Sequence, residues 1–474
     1  MIEIRSMIVE TRLTKDTPGQ NLAYHLDEAS KDDESLILAS HAAQKCYQAE
    51  SPELGKLIDV KGRLFNTSHH TTLEHHYFTF DIEGIAVSDI TLGAHLTHPF
   101  YNSDQRSGRF CSQMFLNPDF ASIEEYVQTF WPELPADSLK RVMNFVKNGV
   151  EIYHRHIGAA TKLTAEMIVK ERPNAPAEYA GANSPKIAQE QLRSFISTIF
   201  PTGFDHTLDL IGLVSLYKAA WTPGLMYLTQ KMADLVLARH PEVAYMFSRR
   251  NQAWAPKILR VENRVKFKPG FILTSLGDIH DYIVLPETED MYPVDLLHFL
   301  PEYMDNNIHD IKTSVEISLA CMGQDQRHRT IRRGQPVLTG NFYLPPVIAM
   351  LPGMVKIAEE YLHLWLELTK DLPPTLAAAI APYGAMVSYD KKGSLNAIFH
   401  EQGKRLCWCA QEEIYHLGRA LRQGVESIRG KESPLLQALE PPCFKTGKCA
   451  EGARYCGRDI NLRKSGDYFP ERKV

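Results

Sequence analysis

A chain of 474 residues is longer than one hydrophobic core ordinarily organises, so two or more domains are expected. With 44% hydrophobic and 23% charged residues it has a globular composition, and neither an 18-residue apolar run nor an apolar leader follows the N-terminal MIEIRSMIVETRLTKDTPGQ, so a cytoplasmic protein without membrane contact is expected. The net charge of -5 excludes a global pull toward phosphate backbones; nucleic acid is not the expected partner, and an anionic ligand must be met by a local basic cluster.

The first strongly patterned segment alternates Phe78, Phe80 and Ile82 with Tyr77, Thr79 and Asp81, the period of a strand with one buried face. Ser88 is expected to cap a short helix that ends near His98, because Pro99 restricts the residue before it. Val142, Phe145, Val146, Val150, Tyr153 and Ile157 then mark one face of a long helix. Another helix is predicted over 223–238, and 240–268, without clear periodicity, connects the halves. The order then recurs. Ile311, Thr313, Val315 and Ile317 alternate as a strand, Leu319, Ala320 and Met322 lead into QDQRHRTIRR, and Met354, Ile357, Ala358, Tyr361, Trp365 and Leu368 form a second helical stripe. The two loops that follow the strands lie about 230 residues apart, near half the chain. A helix over 411–427 carries Ile414, Leu417, Leu421 and Val425 on one face, and beyond Pro441 the pattern stops in a loop-rich tail.

Of the eight cysteines, Cys46, Cys111 and Cys321 read as core residues, whereas Cys407, Cys409, Cys443, Cys449 and Cys456 crowd the C-terminal part. Thiolates on a loop suit zinc or an iron–sulfur cluster, with Cys443, Cys449 and Cys456 as candidate ligands; reduced structural thiols are the alternative.

Four segments carry chemistry. His69 to Gly84 reads HHTTLEHHYFTFDIEG; Arg327, His328 and Arg329 follow Gln324; residues 393–418 read GSLNAIFHEQGKRLCWCAQEEIYHLG; and Ser107-Gly108-Arg109-Phe110 puts a hydroxyl and a guanidinium two residues apart beside a glycine. Adjacent guanidinium groups and hydroxyls can converge on phosphate through charge-assisted hydrogen bonds. Together, and in this order, the segments resemble the flavin-dependent thymidylate synthase family: H-x-S-x-x-E-H with a following FTF-x-I-x-G strand, with Thr71 for Ser; an R-H-R triplet with Gln three residues before it; a C-terminal A-Q-x-E-I run at Ala410-Gln411 and Glu413-Ile414; and an S-x-R-Y loop.

The resemblance implies an α+β fold of two similar copies of an antiparallel-sheet-plus-helices domain, at 1–240 and 265–435, with a Cys-containing tail at 436–474. It implies FAD held by His69, Thr71, Glu74, Arg327, His328, Arg329 and His400. It implies dUMP held by Ser107, Arg109, Gln324 and Arg405, with Arg405 also stabilising charge on the uracil ring during catalysis. Methylenetetrahydrofolate and NADPH are the implied co-substrates of a reductive methylation to dTMP. Neither half is complete: Thr97-His98-Pro99 stands at the R-H-R position of the first, Arg332, Arg333 and Gln335 at the phosphate loop of the second, and DNNIHD and Ser394/Asn396 replace other family residues. The losses are complementary, which implies composite sites and a homodimer acting as a pseudo-tetramer. A degenerate nucleotide- and flavin-binding homologue, and flavin-dependent methylation of another nucleotide or RNA, remain alternatives at this stage.

Overall fold

The computed structural model describes residues 2–6, 34–49, 52–53, 56–96, 101–108, 111, 116–248, 255–260, 262–277, 301–449, 455–459 and 469–474. Thr97, His98, Pro99 and Arg109 lie outside them. The backbone divides into two units: unit 1 comprises 1–106, 125–133 and 199–255, and unit 2 comprises 107–124, 134–198 and 256–474. Each is of mixed α+β class.

Unit 1 is built on β1 (Glu3–Ser6), β2 (Tyr77–Ala86), β3 (Tyr101–Gln105) and β4 (Pro201–Asp209), in the order β1-β2-β4-β3 with every pairing antiparallel. Phe78, Phe80 and Ile82 point inward, as their alternation requires. The helical turns Val87–Asp89 and Ile90–Ala94 follow directly, but Ser88 does not cap them. It lies inside the first turn, buried, and the backbone of Val87 donates instead to the Phe200 carbonyl at 3.1 Å. Beside it Asp89 is fully enclosed and accepts from Tyr126 at 2.6 Å and from Thr222; burial pushes its carboxyl up to about 6. β4 likewise runs straight into the helix Leu210–Ala219, where Asp209 accepts from the Gly212 amide at 2.6 Å as an N-cap.

Unit 2 contains β5 (Val265–Lys266), β6 (Gly270–Ser275), β7 (Asp310–Ser318), β8 (Arg332–Arg333), β9 (Val337–Tyr343) and β10 (Ala385–Ser394), ordered β5-β9-β10-β7-β6 with β8 beside β10. Ile311, Thr313, Val315 and Ile317 are buried. Antiparallel neighbours β7 and β10 each deliver a helix without an intervening loop: Ser318 caps Leu319–Asp325 and Ser394 caps Leu395–Arg405 through side-chain acceptance. The neighbours β2 and β4 of unit 1 do the same. The two helical stripes, one from each half of the sequence, belong to Ala136–Glu171 and Met354–Leu368 and meet within unit 2, where Phe145 and Tyr361 stack at 4.6 Å. Gly149 is required there, since a Cβ would lie 2.2 Å from the Phe195 carbonyl oxygen. No helix among the described residues is long and apolar enough to cross a membrane.

Beneath the helix Leu319–Asp325 lies a buried ionic network. Asp325 accepts from Arg333 Nε at 2.5 Å, Tyr389 at 2.8 Å and Lys391, while Lys391 also donates to Glu401 at 2.8 Å. Burial would raise the Asp325 carboxyl, but Arg333 and Lys391 outweigh it and hold it well below the usual range. Lys391→Met leaves Asp325 and Glu401 buried without their shared cation, so unit 2 is expected to lose roughly 3–5 kcal/mol in urea unfolding. A loss under about 1 kcal/mol would show that the network closes without the lysine.

Candidate functional site

The helix Ala136–Glu171 ends at Arg172 and is followed by a second helix, Tyr179–Leu192; both belong to unit 2. The second helix, the Arg327–His328 loop, the Lys404–Ala410 segment, Glu412 and the chain at Arg472–Val474 enclose a cavity of about 680 Å³. Its walls carry Arg172, Lys186, Arg327, Lys404, Arg405 and Arg472 against three carboxyls, those of Glu190, Glu412 and the terminal Val474.

Two of these cations are buried. Arg172 donates to the Tyr179 hydroxyl at 2.6 Å and the Trp408 carbonyl at 3.1 Å; Arg472 donates to an oxygen of the terminal carboxylate of Val474 at 2.5 Å and to the carbonyl of Ala410. The Nε of each is buried without a hydrogen-bond partner among the described residues, as are Nδ1 of His328 and of His400. Carbonyls hold a guanidinium in place without neutralising it, so the cavity keeps a surplus of positive charge. Glu412 subtracts little from that surplus. It accepts from Tyr343 at 2.8 Å, and burial pushes its carboxyl up to about 8, as burial also does to Glu413, which accepts from the Ser318 amide at 2.7 Å.

The expected site residues fall into two groups. In unit 2, Gln324 ends the helix Leu319–Asp325 buried, its side chain donating to Gln411 and its carbonyl accepting from Arg405. His328 and His400 meet edge to face at 5.2 Å, and both rings are held below the usual histidine range, first by burial and then by cationic neighbours that include Arg405. Arg327, His328 and Arg405 reach the cavity wall; Arg329 is half-buried in the same loop. The carbonyl of Gly108, next to Ser107, accepts from Gln189 at 3.2 Å, which fastens that turn to the cavity helix Tyr179–Leu192. In unit 1, His69, Thr71 and Glu74 stand at the turn around the 3-10 helix His70–Leu73, with His69 and Thr71 exposed. The buried histidine of that segment is His76, whose Nδ1 is 2.7 Å from Ser35 Oγ.

Arg333, which stands where the phosphate loop of the second half was expected, is a structural clamp. It is tied to Asp325 and to the carbonyls of His328 and Ile331 at 3.1 and 2.8 Å. The described part of the tail packs against the unit: Tyr415 donates to the Pro470 carbonyl at 2.9 Å and Gln191 to that of Lys473 at 2.6 Å. Arg172, Arg472, Lys186 and Glu412 were not singled out from the sequence; the only signal was the charge-bearing break at Glu171-Arg172-Pro173. Among the described residues no group of three or more His, Cys, Asp or Glu side chains is arranged to hold a metal ion, so the zinc or iron–sulfur expectation at Cys443, Cys449 and Cys456 gains no support. None of the eight cysteines is in a disulfide.

Residues 26–243 match the family model described as thymidylate synthase complementing protein. Similar solved structures include thymidylate synthase X from Helicobacter pylori with FAD and dUMP, 16% identical, where the match covers 52% of this chain and 98% of that one with a TM-score of 0.30. A second is a flavin-dependent thymidylate synthase from the same organism complexed with FAD and dUMP, 17% identical, covering 45% and 94% with a TM-score of 0.29. No curated protein matches.

The raised carboxyls give a pH dependence. Glu412 and Glu413 bind protons more tightly folded than unfolded, so their contribution is complete below about 4.5 and is lost as pH rises through about 8. Denaturant midpoints are expected to fall between pH 5 and 9, and Glu412→Gln, which mimics the protonated form, is expected to flatten that slope. An unchanged slope in the variant would assign the dependence elsewhere.

Proposed function

We infer the chemistry of the cavity from the family to which residues 26–243 belong, that of the thymidylate synthase complementing proteins, and propose that the chain is a flavin-dependent thymidylate synthase-like enzyme that methylates dUMP reductively. The observation that carries the reading is the surplus of cationic side chains on one cavity wall, among them Arg172, buried and held only by a hydroxyl and a carbonyl. A buried cation left unpaired is costly, and an anionic ligand removes that cost. Orphaned donors on Arg172, Arg472, His328 and His400 fit the phosphate and carbonyl oxygens of a nucleotide or of FAD.

In this proposal FAD, when bound, supplies hydride chemistry, methylenetetrahydrofolate the carbon and NADPH the reducing equivalents. The chain's own residues bind and orient. Arg405, held by the Gln324 carbonyl, faces the pyrimidine and stabilises charge developing on its carbonyl oxygens. Ser107 anchors the phosphate from the turn that Gln189 fastens to the cavity helix, and Arg109 is assigned to the same phosphate through the family resemblance alone. Arg327, His328, Arg329 and His400 serve the flavin; His69, Thr71 and Glu74 are assigned to it through the family resemblance alone. The site is thus composite: the Ser107 turn comes from the first half of the sequence and Arg405 from the second. That is the arrangement expected of a tandem duplication that keeps one set of sites and assembles as a homodimer.

Purified protein incubated with FAD is expected to show a flavin spectrum and to bind dUMP. Arg109→Ala and Arg405→Ala each remove a charge-assisted bond of about 1.5–3 kcal/mol and are expected to weaken dUMP roughly tenfold or more. Mixing the two singly altered proteins restores little if one chain supplies both residues, and restores one site in two if the sites form between chains. Colourless protein that binds no dUMP sinks the enzyme reading. A flavin spectrum without release of the C5 hydrogen of dUMP moves the activity to another methyl acceptor.

A further inference from the structure

The helix Tyr179–Leu192 turns one face to the cavity: Tyr179, Asn183, Lys186 and Glu190 recur at the spacing of successive turns, and all four line it. Arg172, just before that helix, lines it too. None of these residues belongs to the four segments that resemble the flavin-dependent family, and the residues that the resemblance assigns to dUMP and to the flavin all lie elsewhere in the sequence. This wall therefore carries charge for which the nucleotide and the flavin give no account.

Its two cations differ in kind. Arg172 is only 3% exposed and is fixed from two sides, with Nη1 on the Tyr179 hydroxyl, Nη2 on the Trp408 carbonyl and the guanidinium carbon 5.4 Å from the centre of the Tyr179 ring. Both acceptors are neutral. Nε is buried without a hydrogen-bond partner among the described residues and is left to donate. The Tyr179 hydroxyl accepts from Arg172, so its own proton is also left to donate. Lys186, by contrast, is exposed, on a flexible stem two turns further along the helix, about 10 Å of rise from Tyr179. Neither cation is paired with a carboxylate among the described residues.

A phosphate dianion draws several donors and cations to one point. This wall instead offers single charges spaced along a helix, one rigid and buried, the other mobile at the surface, and that spacing suits carboxylates carried in succession on a chain. We propose that Arg172, Tyr179 and Lys186 form a carboxylate subsite that holds the glutamyl end of a folate co-substrate, the first carboxylate on Arg172 and Tyr179 and a following one on Lys186. The subsite presupposes the enzyme reading, in which a folate supplies the carbon but no residue has been assigned to it. A carboxylate seated on Nε neutralises Arg172 without displacing its bonds to Tyr179 and Trp408. The tail of the folate, rather than its pterin, is what this wall recognises.

The test is equilibrium binding, under anaerobic conditions, of tetrahydropteroate, tetrahydrofolate and tetrahydrofolate triglutamate to the full chain with FAD and dUMP. Tetrahydrofolate is expected to bind about tenfold more tightly than tetrahydropteroate, and the triglutamate about threefold more tightly again, since Lys186 is exposed. Arg172→Met is expected to remove the first step and Lys186→Met only the second, with dUMP and FAD affinities changed by less than about twofold in both. The three ligands are compared on the unaltered chain and Lys186 is a surface position, so an Arg172 variant that fails to fold leaves the test intact. Equal binding of the three by the unaltered chain overturns the subsite. So does a folded Arg172→Met protein that loses dUMP or FAD but keeps the glutamyl preference, which hands Arg172 to a phosphate. A chain that takes FAD and dUMP but no folate overturns the subsite alone, and one that takes none of the three overturns the enzyme reading with it.

Discussion

Asp325 is a carboxylate with no exposure to solvent, and it can stay ionised only if cations are brought to it. Arg333 comes from β8 and Lys391 from β10, so the position of one side chain fixes the path of the seven residues between Asp325 and Arg333. Arg333 then spends its remaining donors on the carbonyls of His328 and Ile331. The basic triplet Arg327-His328-Arg329 is therefore mounted on a loop closed by a guanidinium clamp. From the other side, the Gln324 carbonyl, one residue before Asp325, receives Arg405. The cavity wall inherits its geometry from a charge that faces away from it.

The cavity shows the opposite arrangement of charge. Where Asp325 is matched by two cations, Arg172 is held by a hydroxyl and a carbonyl oxygen only. Such oxygens orient a guanidinium but leave its charge available. Glu412, one of two buried glutamates on the wall, is kept from compensating it by its own desolvation. Positive charge thus accumulates locally in a chain that is acidic overall. In the proposed function, selectivity for an anion rests on this local imbalance rather than on net charge.

The features legible in the sequence were those set by short-range periodicity. Phe78, Phe80 and Ile82, and later Ile311, Val315 and Ile317, alternate because one face of each sheet is buried, and the alternation survives into the structure residue by residue. The stripes on Ala136–Glu171 and Met354–Leu368 were legible for the same reason, but their pairing was not, because a stripe states that a face is buried and not what buries it. Ser88 had a capping residue's identity in a capping position, yet the strand–helix junction is closed by the Phe200 carbonyl, more than a hundred residues away. Arg172 and Arg472 were invisible for a related reason. Each draws its role from partners in other segments, Trp408 for one and Ala410 for the other, and no local pattern marks such an arginine.

The family match also has a structural consequence. Residues 26–243 do not fold into one unit: 134–198 belong to unit 2, together with everything after 256. That matched stretch contributes Arg172, Lys186 and Glu190 to the cavity but ends before Arg327, Arg405 and Arg472. The helices of the stretch also lean on later residues: Tyr361 stacks on Phe145, Gln191 donates to the Lys473 carbonyl, and Glu171 accepts from the Lys473 amide at 2.9 Å. Cutting the chain after residue 243 would therefore remove four of the cavity's six cations and, with them, the surface that buries the apolar stripe of Ala136–Glu171. The second half is no more self-sufficient, because Met354–Leu368 would lose Phe145 and the Gly149 crossing where the Phe195 carbonyl is approached. Packing and charge thus impose the same condition, that neither half of the sequence lines the whole cavity without the other.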